Sequence, residues 1–271
     1  MPEVIPFLKW AGGKRWLVSK RSDLFDFEAR RYFEPFLGSG AVFFHLQPQN
    51  AIISDLNSDL IDTYIALRDF PNLVQRALQT HQKGHSKDYY YAIRAENPVT
   101  IVSRAARFLY LNRTCFNGLY RVNQQGLFNV PKGTKESVVL PTDNFGETSR
   151  VLQNVEINHC DFEETINQAR EGDFIYVDPP YTVHHNTNNF IKYNEKIFSW
   201  DDQIRLAASL QDASQRGAYI LISNADHNCI HELYAGDDWS VTRVYRHSRL
   251  AGNAQHRRDT SEVVISNYEV I

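Results

Sequence analysis

Apolar residues occur in short continuous runs near both ends of the chain and at helical spacing between them. Runs of this kind, bounded by glycine, proline or polar residues, are typical of buried strands. Seven such runs predict strands: 32–36, 51–54, 155–159, 173–177, 218–223, 239–246 and 262–268. From residue 57 to about residue 115 the apolar positions recur at helical spacing instead, which predicts several helices. We therefore expect an α/β fold with a mostly parallel, mixed sheet and a helical insertion.

The helical insertion ends in a segment, residues 116–131, that has a polar, glycine-containing tip between aromatic arms. This pattern predicts a β-hairpin. Two polar stretches predict mobile loops: residues 182–189, rich in histidine and asparagine, and residues 248–260, rich in arginine, glycine, asparagine and histidine. The sequence contains no internal repeat or low-complexity tract, so one folded body with an inserted lobe is the simplest interpretation.

The composition limits the number of domains, the role of the cysteines and the location of the protein. With 271 residues, 42% of them hydrophobic, the chain can bury a substantial core as one large domain or as a domain with a lobe. Cys115, Cys160 and Cys229 lie far apart and lack the spacing of metal ligands, so we expect reduced cysteines and no metal. The chain shows no signal-peptide pattern and no apolar stretch long enough to span a membrane, which predicts a cytoplasmic protein.

The net charge of −3 argues mildly against a nucleic-acid partner, because phosphate-binding surfaces are usually basic. Net charge averages over all faces, however, and arginines concentrate in two stretches. These are Arg104, Arg107, Arg113 and Arg121 in the first stretch, and Arg243, Arg246, Arg249, Arg257 and Arg258 in the second. A basic cleft on an acidic body and a set of solvated charged faces are both compatible with this distribution.

The tetrapeptide Asp178-Pro179-Pro180-Tyr181 directly follows the predicted strand 173–177 and is the strongest candidate for a catalytic motif. Ligands of parallel sheets bind beyond the carboxyl ends of the strands, where this tetrapeptide is expected to lie. The prolines fix the backbone and donate no hydrogen bond, so a proline carbonyl and the Asp178 carboxylate can accept from an amine, while the Tyr181 ring can stack on a base. The alternative is a rigid turn after a buried strand.

A second set of candidates follows the first three predicted strands. Gly38 and Gly40 allow the backbone to approach a ligand closely, although their pattern is not that of a dinucleotide fold or a P-loop. Asp55 can accept hydrogen bonds from both ribose hydroxyls of a nucleoside, or it can cap the next helix. Asp161 and Phe162 can contact the amino group and the ring face of an adenine, or they can simply begin the next helix.

The motifs, and their order along the chain, resemble those of the Dam family of DNA adenine N6-methyltransferases, which belongs to the alpha class. The segments that carry the resemblance are 7–15, 33–40, 54–57 and 178–181, together with the hairpin segment 112–131. The resemblance extends over nearly the whole chain. The resemblance implies a Rossmann-like methyltransferase fold. It also implies a catalytic domain formed by residues 1–56 and 146–271 and a target-recognition lobe formed by residues 57–145.

The resemblance implies that S-adenosylmethionine is the methyl donor. Its sulfonium already activates the methyl group, so no metal is required. The implied donor-binding residues are Trp10, Lys14, Glu34, Phe36, Gly38, Gly40, Asp55, Asp161, Phe162 and Asp178. Trp10 would pack near the sulfonium and Lys14 would hold a carboxylate. The alternatives are a core aromatic for Trp10 and an exposed surface lysine for Lys14.

The implied substrate is double-stranded DNA, from which the target adenine is flipped into the site and stacks on Tyr181. Asp178 would accept from the N6 amine and stabilise the positive charge that the nitrogen gains. Arg121 would pair with a guanine, worth about 1–3 kcal/mol of discrimination, while Arg113 and Asn117 would contact phosphates or support the hairpin. GATC is the expected site and a monomer suffices; the resemblance is compatible with a cognate restriction endonuclease.

Other functions of the same motifs stay open at this point. Enzymes with a related tetrapeptide methylate other planar nitrogen groups, namely cytosine N4, an RNA adenine or a glutamine side chain of a protein. A non-catalytic DNA-binding regulator could also use the same fold. Segments 183–190 and 246–253 depart from the family pattern, which leaves the recognition sequence less defined than the chemistry. His184 and His185 have no carboxylate at metal-ligand spacing, so we interpret them as DNA-facing or solvated.

Overall fold

The computed structural model describes residues 4–26, 28–123, 126–183, 198–247 and 259–269. Several sequence features lie outside these ranges: His184, His185, Arg249, Arg257, Arg258 and most of the two predicted loops. The described residues form two compact units. The first comprises the residues up to Lys20, Leu37–Gln49 and Asp55–His159, and the second comprises Arg21–Phe36, Asn50–Ser54 and the residues from Cys160 onward. The predicted division into 1–56 with 146–271, and 57–145, stays a prediction.

The elements agree closely with the apolar pattern of the sequence. The strands are β1 (Tyr32–Glu34), β2 (Ala51–Asp55), β3 (Val155–His159), β4 (Phe174–Val177), β5 (Tyr219–Ala225), β6 (Ser240–His247) and β7 (Asp259–Ser266). The helices are α1 (Arg15–Lys20), α2 (Ala41–Leu46), α3 (Ser58–Asp69), α4 (Pro71–Gly84), α5 (Lys87–Ala95), α6 (Ile101–Thr114), α7 (Phe145–Leu152), α8 (Phe162–Ile166), α9 (Trp200–Gln215) and α10 (Asn228–Leu233). Each predicted strand is present within a few residues of its expected bounds.

The strands of the second unit follow the order β2-β1-β4-β5-β7-β6 within the sheet. The first four are parallel, with Tyr32 opposite Phe174 and Ile175 opposite Ile220. β7 pairs antiparallel with both β5 and β6. Every residue of β1 and β4 is buried, as expected for parallel strands that are covered on both faces and therefore read as continuous apolar runs. The prediction of a mixed, mostly parallel sheet is confirmed.

The core of the second unit lies between this sheet and the helices packed on it. Its members come from β1, β2, β4, β5, β7 and the helices α8, α9 and α10, and they include Phe33, Ile175, Val177, Leu206, Leu210, Ile220, Ile222, Val263 and Ile265. In α9 the buried positions Leu206, Leu210 and Ala213 recur at three- and four-residue spacing, so one face of the helix is buried. This core fixes the carboxyl ends of β1 and β4 at one edge of the sheet.

The first unit is mainly helical, as the spacing of its apolar residues predicts. The helices α3, α4 and α5 each pack against α6, and the buried residues of these four helices include Leu60, Tyr64, Leu78, Tyr90 and Leu109. Four of its helices begin at side-chain caps: Asn57, Ser86, Thr100 and Asn144 each accept a hydrogen bond from a backbone N–H three residues later. α4 instead begins with Pro71, which needs no backbone partner there.

Residues 115–133, which we call the recognition segment, follow α6. Their described part contains two isolated antiparallel bridges, Cys115 with Lys132 and Val122 with Phe128, instead of two continuous strands. The Asn129 N–H donates to the Arg121 carbonyl at 3.2 Å. At the base a Cβ on Gly133 would lie 2.5 Å from the Cys115 carbonyl oxygen, so this close approach requires glycine. The predicted hairpin is present, with limited pairing.

None of the helices within the described residues is long and apolar enough to cross a membrane.

Candidate active site

The turn after β1 brings predicted donor-binding residues together in the first unit. Gly38 and Gly40 have φ of +48° and +62°, a region that favours glycine. The Gly38 N–H donates to Asp55 Oδ2 at 3.1 Å, and the Asn57 N–H donates to Oδ1 at 3.0 Å. A Cβ on Gly38 would lie 2.8 Å from Cδ1 of Trp10. We call Trp10, Lys14, Gly38, Gly40 and Asp55 the glycine-turn cluster.

Asp55 does not cap the next helix, which was the structural alternative for this residue. Asn57 is the N-cap of α3 and accepts from the Leu60 N–H, whereas the Asp55 carboxylate connects the end of β2 to the glycine turn. Burial raises the pKa of Asp55, while the Gly38 and Asn57 N–H groups act in the opposite direction. Both carboxylate oxygens accept from the backbone, and a carboxylate has about four acceptor positions in all.

Lys14 is buried, with 3% of its surface exposed, so the alternative of an exposed surface lysine is wrong. Its Nζ donates to the Gly12 carbonyl at 2.8 Å. A buried ammonium group is costly unless it is well satisfied, which is the usual situation of a lysine that holds an anionic group. The position fits the predicted role of holding a carboxylate.

Trp10 is partly buried and belongs to a group of aromatic rings. Its ring stacks on Tyr120 at 5.8 Å between centroids with a 23° interplanar angle, and it lies 6.4 Å from Phe108. Tyr120 in turn contacts Phe108 and Phe128, and its hydroxyl donates to Asp59 at 3.1 Å. Within the first unit, Trp10 therefore packs against both the glycine turn and the recognition segment.

The tetrapeptide follows β4 in the second unit, as predicted. Pro179 is buried, whereas Asp178, Pro180 and Tyr181 are partly exposed. The Tyr181 hydroxyl donates to Glu262 Oε2 on β7 at 2.8 Å. After the turn, the Thr182 hydroxyl donates to the Phe198 carbonyl at 2.6 Å. The tetrapeptide thus leaves a buried strand and is held at its far end by side-chain hydrogen bonds.

Buried polar residues surround the base of the tetrapeptide. Tyr32 donates to Glu34 at 2.7 Å, and the hydroxyls of Tyr176 and Ser223 lie 3.0 Å apart. Burial raises the pKa of Tyr176 well above its usual value, and the charges of Asp178, Glu34 and Glu262 add to that shift. Three carboxylates therefore act on one buried phenol, which stays protonated. We call Tyr176, Tyr181, Asp178, Glu34 and Glu262 the tetrapeptide cluster.

Phe36, Asp161 and Phe162 also lie in the second unit. The rings of Phe36 and Phe162 stack at 5.5 Å, and the Arg205 guanidinium lies 4.3 Å from the Phe162 centroid. Asp161 caps α8 in a capping box and forms an ion pair with Arg205 at 2.9 Å. The structural alternative, that Asp161 and Phe162 begin the next helix, is confirmed. Their role towards a ligand stays a prediction.

The three predicted DNA-binding residues have different environments. Arg113 is 2% exposed and pairs with Asp143 at 2.7 Å, so it does not present its guanidinium to DNA and the structural alternative is the correct one. Asn117 and Arg121 are exposed on the recognition segment. Arg121 Nε donates to Asn129 Oδ1 at 3.0 Å, which leaves the terminal nitrogens at the surface of the arm.

Sequence reasoning missed Glu262, Gln203 and Asn224. Gln203 is fully buried; its amide lies 3.5 Å from the Pro180 carbonyl and accepts from Asn224 at 3.2 Å. Polar residues inside apolar runs, such as Asn224 in β5 and Glu262 in β7, are the signal that could have identified them. Within the described ranges no group of three or more His, Cys, Asp or Glu side chains has an arrangement that could hold a metal ion.

Comparison with known proteins identifies the family. Residues 10–248 match the model of the D12 class N6 adenine-specific DNA methyltransferases. The chain is 36% identical over 272 residues to Type II methyltransferase M1.LlaDCHI of Lactococcus lactis subsp. cremoris, covering 97% of this chain and 95% of that protein. It is 35% identical over 290 residues to Type II methyltransferase M.MjaIII of Methanocaldococcus jannaschii, covering 98% and 100%.

A third relative is named a DNA adenine methylase. The DNA adenine methylase of Vibrio cholerae serotype O1 (strain ATCC 39541 / Classical Ogawa 395 / O395) is 34% identical over 258 residues, covering 93% of each chain. The resemblance to the Dam family is confirmed. The chain belongs to the D12 class N6 adenine-specific DNA methyltransferase family.

Proposed function

We propose that this protein transfers a methyl group from S-adenosylmethionine to N6 of an adenine flipped out of double-stranded DNA, within the sequence GATC. The observation that carries the proposal is the tetrapeptide cluster: a partly exposed carboxylate and a proline turn at the end of a buried strand, next to a tyrosine fixed by a hydrogen bond. Such a group of acceptors suits an aromatic amine, which is a poor nucleophile until its lone pair is positioned.

The glycine-turn cluster has the chemistry needed to bind the donor. S-adenosylmethionine supplies an electrophilic methyl group on a sulfonium, together with a ribose, an adenine and a charged amino-acid part. Gly38 and Gly40 leave out the Cβ atoms that would crowd the turn, Asp55 offers further acceptor capacity to ribose hydroxyls, and Lys14 offers a buried positive charge. The partly buried ring of Trp10 offers an aromatic surface.

The second unit contains the other predicted donor-binding residues. Glu34 offers a buried carboxylate, and Phe36 and Phe162 offer neighbouring aromatic rings. Asp161 keeps part of its carboxylate exposed although it caps α8 and pairs with Arg205. These residues are suited to the cationic and aromatic parts of the donor, and their assignment rests on the family resemblance.

In the chemical step, Asp178 and a proline carbonyl accept hydrogen bonds from the two hydrogens of the N6 amine. As the nitrogen attacks the methyl carbon, the carbon–sulfur bond of the donor would break and S-adenosylhomocysteine would leave as a neutral thioether. The nitrogen loses conjugation with the ring and gains positive charge, which a carboxylate stabilises more in the transition state than in the ground state. The proton leaves to water after methyl transfer, because the aromatic amine is not acidic enough to lose it first. Tyr181 stacks on the flipped base.

Sequence recognition is assigned to the recognition segment. Arg121 is exposed on one arm and has the fork geometry that pairs with O6 and N7 of guanine. Asn117, with φ of +56° at an exposed turn, is suited to a phosphate contact. The names of the bacterial DNA adenine methylases among the relatives support adenine as the target base. A monomer, a cytoplasmic location and a cognate restriction endonuclease stay predictions.

The test measures transfer of labelled methyl groups to a duplex that contains one GATC site, to the same duplex with the site scrambled, and to matched RNA. We expect label on the GATC duplex only, and on N6 of adenine. Asp178→Ala should lower the rate by at least about 10²-fold while donor and DNA still bind. Asp178→Asn, which keeps the shape and loses the charge, is the matched control for electrostatic stabilisation. Label on cytosine or on RNA alone would overturn the assignment.

A further inference from the structure

Glu262 is a buried carboxylate that the mechanism above does not use. It lies on β7, opposite Ala225 of β5 and Val244 of β6, and only 4% of its surface is exposed. A carboxylate on a central strand loses its hydration on folding, which is unfavourable unless partners replace the water. Apolar residues fill the neighbouring positions Val263, Val264 and Ile265, so an apolar residue would suit packing at position 262.

The contacts of Glu262 point towards the catalytic tetrapeptide. Its Oε2 accepts from the Tyr181 hydroxyl at 2.8 Å, and its Oε1 lies 3.6 Å from Arg246 Nη1 on β6. β5 lies between β4 and β7 in the sheet, so this hydrogen bond spans the end of β5 and connects the residues after β4 to β7.

We propose that Glu262 is a positioning residue for methyl transfer, which fixes the tilt of the Tyr181 ring so that its face meets the flipped adenine. The inference rests on the function proposed above. A tyrosine hydroxyl bound to a carboxylate at 2.8 Å is a short, directional contact, and it restrains rotation of the whole side chain. Burial and the charges of Asp178 and Glu262 raise the pKa of Tyr181, so the phenol stays protonated and keeps donating.

This arrangement stabilises one ring orientation before the base arrives. Stacking depends on the offset and tilt of the two rings, and a misplacement of about 1 Å in a reacting group can lower a rate by about 10²-fold. Arg246 pairs with the other oxygen of Glu262 and limits rotation of the carboxylate. The hydrogen bond between Tyr181 and Glu262, which we call the tether, therefore acts on the step in which the base is held. It leaves the binding of the donor unchanged.

The test compares Glu262→Leu, Glu262→Gln and Tyr181→Phe with the wild-type protein. Glu262→Leu and Tyr181→Phe each remove the hydrogen bond and should lower kcat by about 10- to 100-fold with little change in KM for the donor. Glu262→Gln keeps an acceptor oxygen and should retain most of the activity. Val263→Ala, which removes buried volume at the next position of the same strand and leaves the contacts of Glu262 in place, is the matched control and should leave kcat near the wild-type value.

A second readout follows the base directly. DNA with 2-aminopurine at the target position becomes fluorescent when that base leaves the stack. We expect Tyr181→Phe and Glu262→Leu to change the fluorescence of the bound, flipped base, and the double variant to lose no more activity than either single variant, because both changes remove one bond. Losses that multiply in the double variant would overturn the proposal, as would wild-type kcat in Tyr181→Phe, which leaves β7 intact.

The proposed function and the tether can fail separately. A wild-type protein that methylates no duplex DNA contradicts the function. The hydrogen bond itself is measured without activity, by a double-mutant cycle in the free energy of unfolding with Tyr181→Phe and Glu262→Leu, each of which removes the bond. A coupling of zero between the two positions contradicts the tether whatever the protein methylates.

Discussion

The recognition segment and the tetrapeptide cluster are held in place in opposite ways. The recognition segment depends on aromatic packing, in which Tyr120 contacts Trp10, Phe108 and Phe128, and its described backbone has only isolated bridges. The tetrapeptide follows a buried parallel strand and is fixed by hydrogen bonds to charged and polar side chains. Ring contacts tolerate sliding, whereas hydrogen bonds to a carboxylate define an angle.

This difference matches what each region is proposed to do. A segment that reads DNA adapts its arms to the duplex, and it keeps apolar side chains such as Phe116 (52% exposed) and Leu127 (61% exposed) at its surface. A site that positions an amine requires a fixed geometry before the substrate arrives. Local stability is therefore expected to be lower in the recognition segment than in the strands beneath the tetrapeptide.

The largest loss of stability is expected from a buried ion pair that lies directly before the recognition segment. This region therefore does not depend on aromatic packing alone. Arg113 in the last turn of α6 donates to Asp143 through two nitrogens, each at 2.7 Å, and to the carbonyls of Val138 and Phe7. Arg113→Met leaves the Asp143 carboxylate buried without its partner and should lower the free energy of unfolding by about 3–5 kcal/mol, measured by urea denaturation.

The control for this prediction is the double variant Arg113→Met with Asp143→Leu. Removing both charges should restore part of the lost stability, because the uncompensated charge is then absent. A single variant within about 1 kcal/mol of the wild type would show that the pair contributes less than buried charges usually do.

A smaller effect is expected from Gly38→Ala in the glycine-turn cluster. The new Cβ would lie 2.8 Å from the Trp10 ring, at a position with φ of +48°, so both a clash and backbone strain are expected. We expect donor affinity, measured by calorimetry, to weaken by about 1–3 kcal/mol. Gly126→Ala in the recognition segment is the control, because it has φ of +76° and nothing within 4 Å of the added Cβ. It should show strain without loss of donor affinity.

Substitutions of Tyr120 test whether aromatic packing holds the recognition segment in place. Tyr120→Leu removes ring contacts worth about 0.5–1.5 kcal/mol each, so we expect a less ordered segment and weaker discrimination between the proposed GATC site and altered sites. Tyr120→Phe keeps the rings and loses only the hydrogen bond to Asp59, with an expected cost of about 1 kcal/mol. Equal site preference in the wild type and Tyr120→Leu would contradict anchoring by aromatic packing.

The smallest expected effect concerns the pH dependence of Asp55. Because burial raises the pKa of Asp55, donor binding should be complete above that raised pKa and should be lost as the pH falls through it, at a higher pH than for an ordinary aspartate. The same shift means that the folded state binds this proton more tightly than the unfolded state. Ionisation of Asp55 therefore opposes folding as the pH rises.

Asp55→Asn tests both statements at once. At neutral pH it should raise the melting temperature slightly and weaken donor binding, and the decrease of affinity at low pH should disappear. The asparagine amide has one acceptor oxygen for the two N–H groups of Gly38 and Asn57. A lower melting temperature in this variant would therefore show that the loss of one of these hydrogen bonds outweighs the relief of burying a charge.

The strands, the helical insertion, the antiparallel hairpin segment and the positions of the tetrapeptide and the glycine turn could all be predicted from the sequence. These features follow from periodicity and from local rules: buried parallel strands are continuous apolar runs, and ligand-binding residues follow their carboxyl ends. The family could be identified at the same stage, because its motifs are short segments in a fixed order.

The charged side chains that are buried, and their contacts, could be identified only in the folded protein. Arg113 belongs to an arginine-rich stretch of the sequence, yet it pairs with Asp143, 30 residues away, while Arg121 lies at the surface. Glu262 lies 81 residues from Tyr181 and was not identified as part of the site. Such pairs form when distant segments pack together. A period of two or of 3.6 residues describes which face of one element is apolar, and it contains no information about the partner across the core.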